Sequence, residues 1–193
     1  MELQRIGPDG FKQFYEGGRV EGGHYVVGDL QRSGPVLIAE GYATAATLHE
    51  LSGKATIAAF NAGNLVHVAE AYRRIYPDRA IYIAGDNDHR RETQGKPNVG
   101  REKAEQAAAA IDGFALLPNF AEDDLGSDWN DLMRSQGVDA ARQQLGVAMA
   151  IAERERIVRH MSTVQDRELN PSQAVVIASA LDRSQTAEID LEW

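Results

Sequence analysis

The chain contains no cysteine among its 193 residues, which excludes both a disulfide framework and a thiolate zinc site. Long apolar runs are missing too. No stretch approaches the roughly 20 residues that a membrane-spanning helix requires, so no membrane partner is expected. The opening MELQRIGPDG lacks the basic and then apolar layout of a secretory signal, and the expected location is cytoplasmic. Positive charge is in deficit, with 20 Lys and Arg against 29 Asp and Glu for a formal net charge of −9. That balance argues against a protein that grips nucleic acid by bulk electrostatics, because phosphate neutralisation needs clustered cations.

What is present suits an ordinary globular chain: 43% hydrophobic and 25% charged residues, in a length that fits one domain with a helical appendage. Charge is unevenly distributed. Between His89 and Lys103 the chain carries Arg90, Arg91, Lys96, Arg101 and Lys103 against only Glu92 and Glu102. A phosphate-bearing ligand would be drawn to this segment despite the acidic total.

Gly-Pro-Asp-Gly between short half-apolar runs predicts a hairpin from about Leu3 to Tyr15, and HYVVG predicts a further strand. The continuous apolar run Pro35–Ala39 leads into a helix-compatible stretch that stops near Gly53, as in a buried parallel strand feeding a helix. ATIAAF, RAIYIAG and GFALLP read as three more strands. Between them Leu65, Val68, Ala69, Tyr72 and Ile75, and then Ala104, Ala107, Ala108 and Ile111, recur at helical spacing. Alternating strands and helices predict an α/β fold with a mainly parallel sheet flanked by helices. From Asp128 the chain reads helical, with an apolar stripe at Val138, Ala141, Leu145, Ala148 and Ala152. Asn170 followed by Pro171 predicts the start of a last helix, and residues 163–170 are the candidate boundary before it.

Open parallel sheets bind ligands beyond the carboxyl ends of their strands. Acidic residues fall at three such places: Glu40 after PVLIA, Asp86 and Asp88 after IYIAG, and Asp128 with Asp131 after FALLP and the loop NFAEDDLGS. Two aspartates one residue apart repel unless a cation offsets them, and carboxylates from separate strand ends can share a hard divalent ion. Taken singly, each acid also has a structural reading, since Asp favours turns and caps; it is their order along the sheet that is informative. Near the start, FYEGGRVEGGHY interleaves Phe14, Tyr15 and Tyr25 with Arg19 and His24. Such residues can stack unpaired bases or simply pack in a core.

The series LIAEGYATAATL, IAGDND with GREKAEQAA, and LLPNFAEDDLGSDWNDL resembles the Toprim domain of bacterial primases, topoisomerases and related nucleases, and most closely the Toprim modules of plasmid and conjugative-element DNA primases. The likeness spans about Pro35 to Gly137. The leading LQRIGPDGFKQFYEGGRVEGGHY also resembles the segment that precedes Toprim in those primases. It implies a Rossmann-like Toprim fold in three parts: an N-terminal β-rich segment at 1–34 packing on the core, a catalytic domain at 35–137 and a helical extension at 138–193.

The resemblance also implies a chemistry, metal-dependent nucleotidyl transfer that synthesises primers on single-stranded DNA of a plasmid or mobile element. Glu40 becomes the acid-base residue, Asp86 and Asp88 the ligands of Mg2+ or Mn2+, and Asp128 the third acidic position, with Asp131 or Asp124 as alternatives for that ligand. Arg90, Arg91, Lys96, Arg101 and Lys103 would meet phosphates. The implied partners are a single-stranded template, nucleoside triphosphates and other domains of a larger primase, helicase or relaxase. Toprim nucleases, other phosphoryl-transfer enzymes and a non-catalytic nucleotide- or protein-binding module are the alternatives.

Overall fold

The computed structural model describes residues 21–169, with side chains to 162, and the backbone of two earlier strands. Those strands, β1 (Gln4–Ile6) and β2 (Lys12–Phe14), pair antiparallel as a two-stranded sheet with Gln4 opposite Phe14, the hairpin expected from the Gly-Pro-Asp-Gly turn. The main sheet has five strands. They are β3 (Tyr25–Val27), β4 (Val36–Ala39), β5 (Thr56–Ala58), β6 (Ile81–Ala84) and β7 (Phe114–Leu116), in the order β3-β5-β4-β6-β7. The four later strands run parallel, and β3 closes one edge antiparallel to β5.

Continuous apolar runs make these strands because both faces of the sheet are covered. All four residues of β4 are fully buried, and successive side chains go to opposite sides. Leu37, Ala39, Tyr82 and Ala84 enter a core with α1 (Tyr42–Ser52), α5 (Trp129–Gln136) and the start of α6 (Val138–Leu169). Val36, Ile38, Ile81 and Ile83 enter the opposite core with α2 (Leu65–Ile75) and α4 (Val99–Ala110). The crossover from β4 to β5 ends at Gly53, whose left-handed φ of 66° caps α1.

Sequence periodicity located most helical faces and missed at three places. Leu65, Val68, Ala69 and Tyr72 are buried, but Ile75 is 61% exposed, because α2 ends there and no longer lies over the sheet. A short helix, α3 (His89–Thr93), was not expected; its five residues bury nothing and so leave no apolar signature. In α6, Ala141, Leu145 and Ala152 are buried in the core while Val138 is 39% exposed. One compact unit ends at Ala152 and another begins at Glu153, where Arg156 pairs with Glu153 through two 2.9 Å contacts. Helix α6 continues through residues 163–169, so no break falls in that stretch; the last helix expected after Asn170 lies outside the described residues. No helix among the described residues is long and apolar enough to cross a membrane.

Candidate functional site

Parallel register puts the acidic loops at one end of the sheet. Ala39 of β4 lies beside Ala84 of β6, and Ala84 beside Leu116 of β7. Glu40 follows Ala39 directly and Asp86 comes two residues after Ala84, so the first two acidic positions leave neighbouring central strands at one level. Asp128 is further from its strand in sequence, and Trp129 brings it back. That indole is fully buried, and its Nε1 donates to the Leu116 carbonyl at the end of β7 (3.3 Å). The side chain of Asp128 then caps α5.

Hydrogen bonds tie the three loops together, largely through residues the sequence reading did not single out. Asn87, between the two aspartates, is only 5% exposed. Its backbone N–H donates to the Ser127 carbonyl (2.6 Å) and its Nδ2 to the Pro118 carbonyl (2.8 Å), joining the D-x-D loop to the segment before Asp128. Its Oδ1 accepts from Asn98 Nδ2 (2.8 Å) and an Arg101 guanidinium nitrogen (3.1 Å). Asn98, also buried, caps α4 by accepting from the Arg101 N–H (3.2 Å), and the same oxygen accepts from the Asp88 N–H (2.9 Å). On the other side Thr44, in the helix that follows Glu40, donates its hydroxyl to Asp128 Oδ2 (2.8 Å), and Thr47 donates to Asn130 Oδ1 (3.1 Å).

Gly100 lets α4 approach this closely. A Cβ there would stand 2.8 Å from both the Cβ and the carbonyl oxygen of Asp86, closer than real Cβ contacts come. The first turn of α4, with its electropositive amides, is thereby held against the D-x-D loop.

The remaining acids divide by what they touch. Asp128 Oδ1 accepts from the Asp131 N–H (2.8 Å), which caps α5, and Asp131 Oδ2 accepts from the Ser127 N–H (3.1 Å) just before the cap. Asp124 accepts from the Gly126 N–H (2.9 Å) and the Ser135 hydroxyl (3.1 Å). The Gly126 amide, aided by Ser135, holds its carboxyl below the usual carboxylate range. Asp124 thus ties its own loop to Ser135 of α5. Among the described residues no three His, Asp or Glu side chains come close enough to cage an ion. The donor chemistry at Asp86 and Asp88 fits magnesium on other terms, since that ion keeps several waters and is often bound through one or two carboxylates.

The cations expected to meet phosphate are not equivalent. Arg101 is half-exposed and already engaged: one nitrogen pairs with Glu92 (3.1 Å) and another donates to Asn87. Arg91 Nε donates to the Pro97 carbonyl (3.0 Å), and Lys96 and Lys103 donate to the side-chain oxygens of Gln94 and Gln106 (3.1 Å each). Arg90 is exposed. This arrangement distinguishes Arg101 from Lys103. Arg101→Ala is expected to destabilise the domain by about 1–3 kcal/mol, because it strips a charged donor from a buried acceptor, whereas Lys103→Ala should melt within a degree or so of the wild type, about the range of a surface change. Thermal melts of the two variants check this, and equal melting temperatures would contradict it.

Compared with known protein families, residues 35–139 match the Toprim domain. The chain belongs to the Toprim family. The match opens at Pro35, just ahead of β4, and takes in Glu40, Asp86, Asp88 and Asp128. The chain is similar to DNA primase TraC of Escherichia coli, 48% identical over 122 residues, covering 62% of this chain and 12% of that protein. A second Escherichia coli DNA primase TraC is 48% identical over 123 residues, again 62% of this chain and 8% of the relative. The chain thus spans about a tenth of the length of these curated relatives. No solved structure matches it. Toprim domains bind divalent metal ions, which agrees with the oxygen-only donors at the D-x-D loop.

Asn87, Asn98, Thr44 and Trp129 went unrecognised as site-building residues. The available signal was slight: an amide between two aspartates, and a hydroxyl one helical turn after Glu40.

Proposed function

We propose that this Toprim domain performs metal-dependent nucleotidyl transfer as the catalytic module of a DNA primase, making primers on single-stranded DNA of a plasmid or mobile element. The observation that supports this best is the convergence of the Glu40 and D-x-D loops at one end of the parallel sheet, with Asn87 and Thr44 joining both to the Asp128 segment. Similarity to DNA primase TraC gives the reaction class.

In this reading Asp86 and Asp88 hold the divalent ion, Mg2+ or Mn2+. Asp128 takes the third acidic position, since of the three acids considered it alone is bonded to the helix that follows Glu40. Its carboxylate oxygens each retain accepting capacity beyond the bonds they already make. A divalent ion, once bound, would offset charge on the transferring phosphate and the leaving group.

The other roles belong to the chain itself. Glu40 accepts the proton of the primer 3′-hydroxyl as its oxygen bonds to the α-phosphorus and pyrophosphate departs. Asn87 and Asn98 keep the aspartates in register with that oxygen. Arg90 and Lys103, exposed or half-exposed beside the D-x-D loop, meet phosphates of the template or the incoming triphosphate; Arg91 and Lys96 line the same segment. The partners are the single-stranded template, nucleoside triphosphates and further domains of a larger replication protein.

Magnesium should stabilise the wild type by about 2.7 kcal/mol at a hundredfold excess over its dissociation constant, read as a rise in melting temperature. The double variant Asp86→Asn/Asp88→Asn should show no such rise. A parallel assay of primer synthesis on single-stranded DNA tests the reaction. An equal magnesium response in both proteins would remove the metal site from the D-x-D loop.

A further inference from the structure

Among the described aromatic side chains two alone are strongly exposed, Tyr25 at 53% and Tyr42 at 41%. Tyr72, Tyr82, Phe114 and Trp129 are buried, and Phe60, Tyr76 and Phe120 are half-buried. One exposed tyrosine needs no explanation. These two occur together, however, with ring centroids 5.6 Å apart and planes at 65°, edge against face.

Their place in the fold is more informative than their exposure. Tyr25 of β3 lies opposite Ala58 of β5, and Ala58 lies beside Ala39 of β4. These three residues form one row across the carboxyl end of the sheet, and Glu40 follows the last of them. At a strand spacing of about 4.8 Å, Tyr25 starts roughly 10 Å from the backbone of Ala39. Tyr42 opens α1 two residues after Glu40. The pair therefore forms a rim beside the candidate acid-base residue, on the side of the sheet away from β6 and the D-x-D loop.

We propose that Tyr25 and Tyr42 form a stacking platform for an unpaired nucleobase of the single strand, next to Glu40. This deepens the primase reading and rests on it. An exposed aromatic face suits any base, because every base presents a π-surface and stacking does not depend on sequence. The platform also suits an acidic protein, since attraction of this kind requires no local positive charge. The T-shaped contact fixes the two rings against each other, so little side-chain freedom remains to be lost on binding.

The test compares binding of a short oligothymidylate with an abasic oligomer of equal length, at fixed salt and magnesium. The wild type should prefer the base-bearing strand. Tyr25→Ala/Tyr42→Ala should lose roughly tenfold or more of affinity for that strand, in line with base–aromatic stacking, and little for the abasic one. Tyr25→Phe/Tyr42→Phe should keep the preference, because a ring is sufficient. In Tyr42→Trp, oligothymidylate should quench the new indole emission while the abasic strand leaves it unchanged, a readout that needs no truncated side chain.

A wild type that binds both strands equally, or an alanine variant that retains the preference, overturns the platform and leaves the metal and acid-base assignments standing. A wild type that binds neither strand overturns the platform together with the template role in the primase reading.

Discussion

Glu40→Gln is expected to lose about 10²–10⁴-fold in nucleotidyl transfer, the usual contribution of a general acid-base group, while keeping its magnesium-induced rise in melting temperature. Glutamine preserves the volume and one hydrogen-bonding oxygen beside Gly41 and α1, but it cannot take the proton of a hydroxyl. Asp88→Asn should behave differently. Asp88 sits between Asn98, which accepts from its N–H, and Gly100, whose N–H lies 3.5 Å from its Oδ2. Removing its charge therefore alters the ion-binding loop itself, and both the magnesium response and the rate should fall. Assays at limiting and at saturating magnesium separate the two roles, because excess ion refills a weakened site but cannot replace a missing base. Equal rescue of both variants would make Glu40 a ligand and cancel the assignment. Full activity in both would show that the acidic constellation has been misread.

The positions of these acids at the strand ends were legible before the fold was known because parallel sheets simplify their sequences. A strand covered on both faces must be apolar throughout, and VLIA and IYIA announce themselves; the loop after each strand lies, by topology, at the ligand-binding end. Glu40, Asp86 and Asp88 could therefore be placed without coordinates. Asp128 could not be chosen over Asp124 and Asp131 in the same way, since all three lie in a loop where spacing carries no period. Burial of Trp129 against Leu116 brings Asp128 back to the sheet, and Asp124 makes its contacts with Gly126 and Ser135.

Arg101 shows the converse limit. Its sequence neighbourhood is basic and suggests a hand for phosphate, yet the guanidinium faces an amide oxygen and a glutamate. Charge counts cannot tell a solvated cation from one already paired within the fold. Polar residues that become buried, such as Asn87 and Asn98, are invisible to hydrophobic periodicity for the same reason.

Asn87 carries the second large prediction. Asn87→Ala removes a side chain that donates to the Pro118 carbonyl and accepts from Asn98 and Arg101. Asn98 Nδ2 and the Pro118 oxygen are then left in buried surroundings without those bonds, at about 1–3 kcal/mol each. The sum, on the order of 2–6 kcal/mol, is a large part of an ordinary domain's stability. For a chain of this size the melting temperature should fall by roughly 5–15 °C. Magnesium affinity should fall as well, because the loop that carries Asp86 and Asp88 then loses the Asn87 side-chain bonds to the Pro118 carbonyl, Asn98 and Arg101.

Asn87→Asp refines the test. Its carboxylate still accepts from Asn98 and gains a charged bond with Arg101, but it meets the Pro118 carbonyl with no proton to donate and adds negative charge between the two aspartates. In the absence of ion it should be less stable than the wild type, and magnesium should restore more stability to it than to Asn87→Ala. If Asn87→Ala melts with the wild type and binds magnesium equally well, the side-chain bonds are not what holds these loops in register, and the 2.6 Å backbone bond from Asn87 to Ser127 suffices.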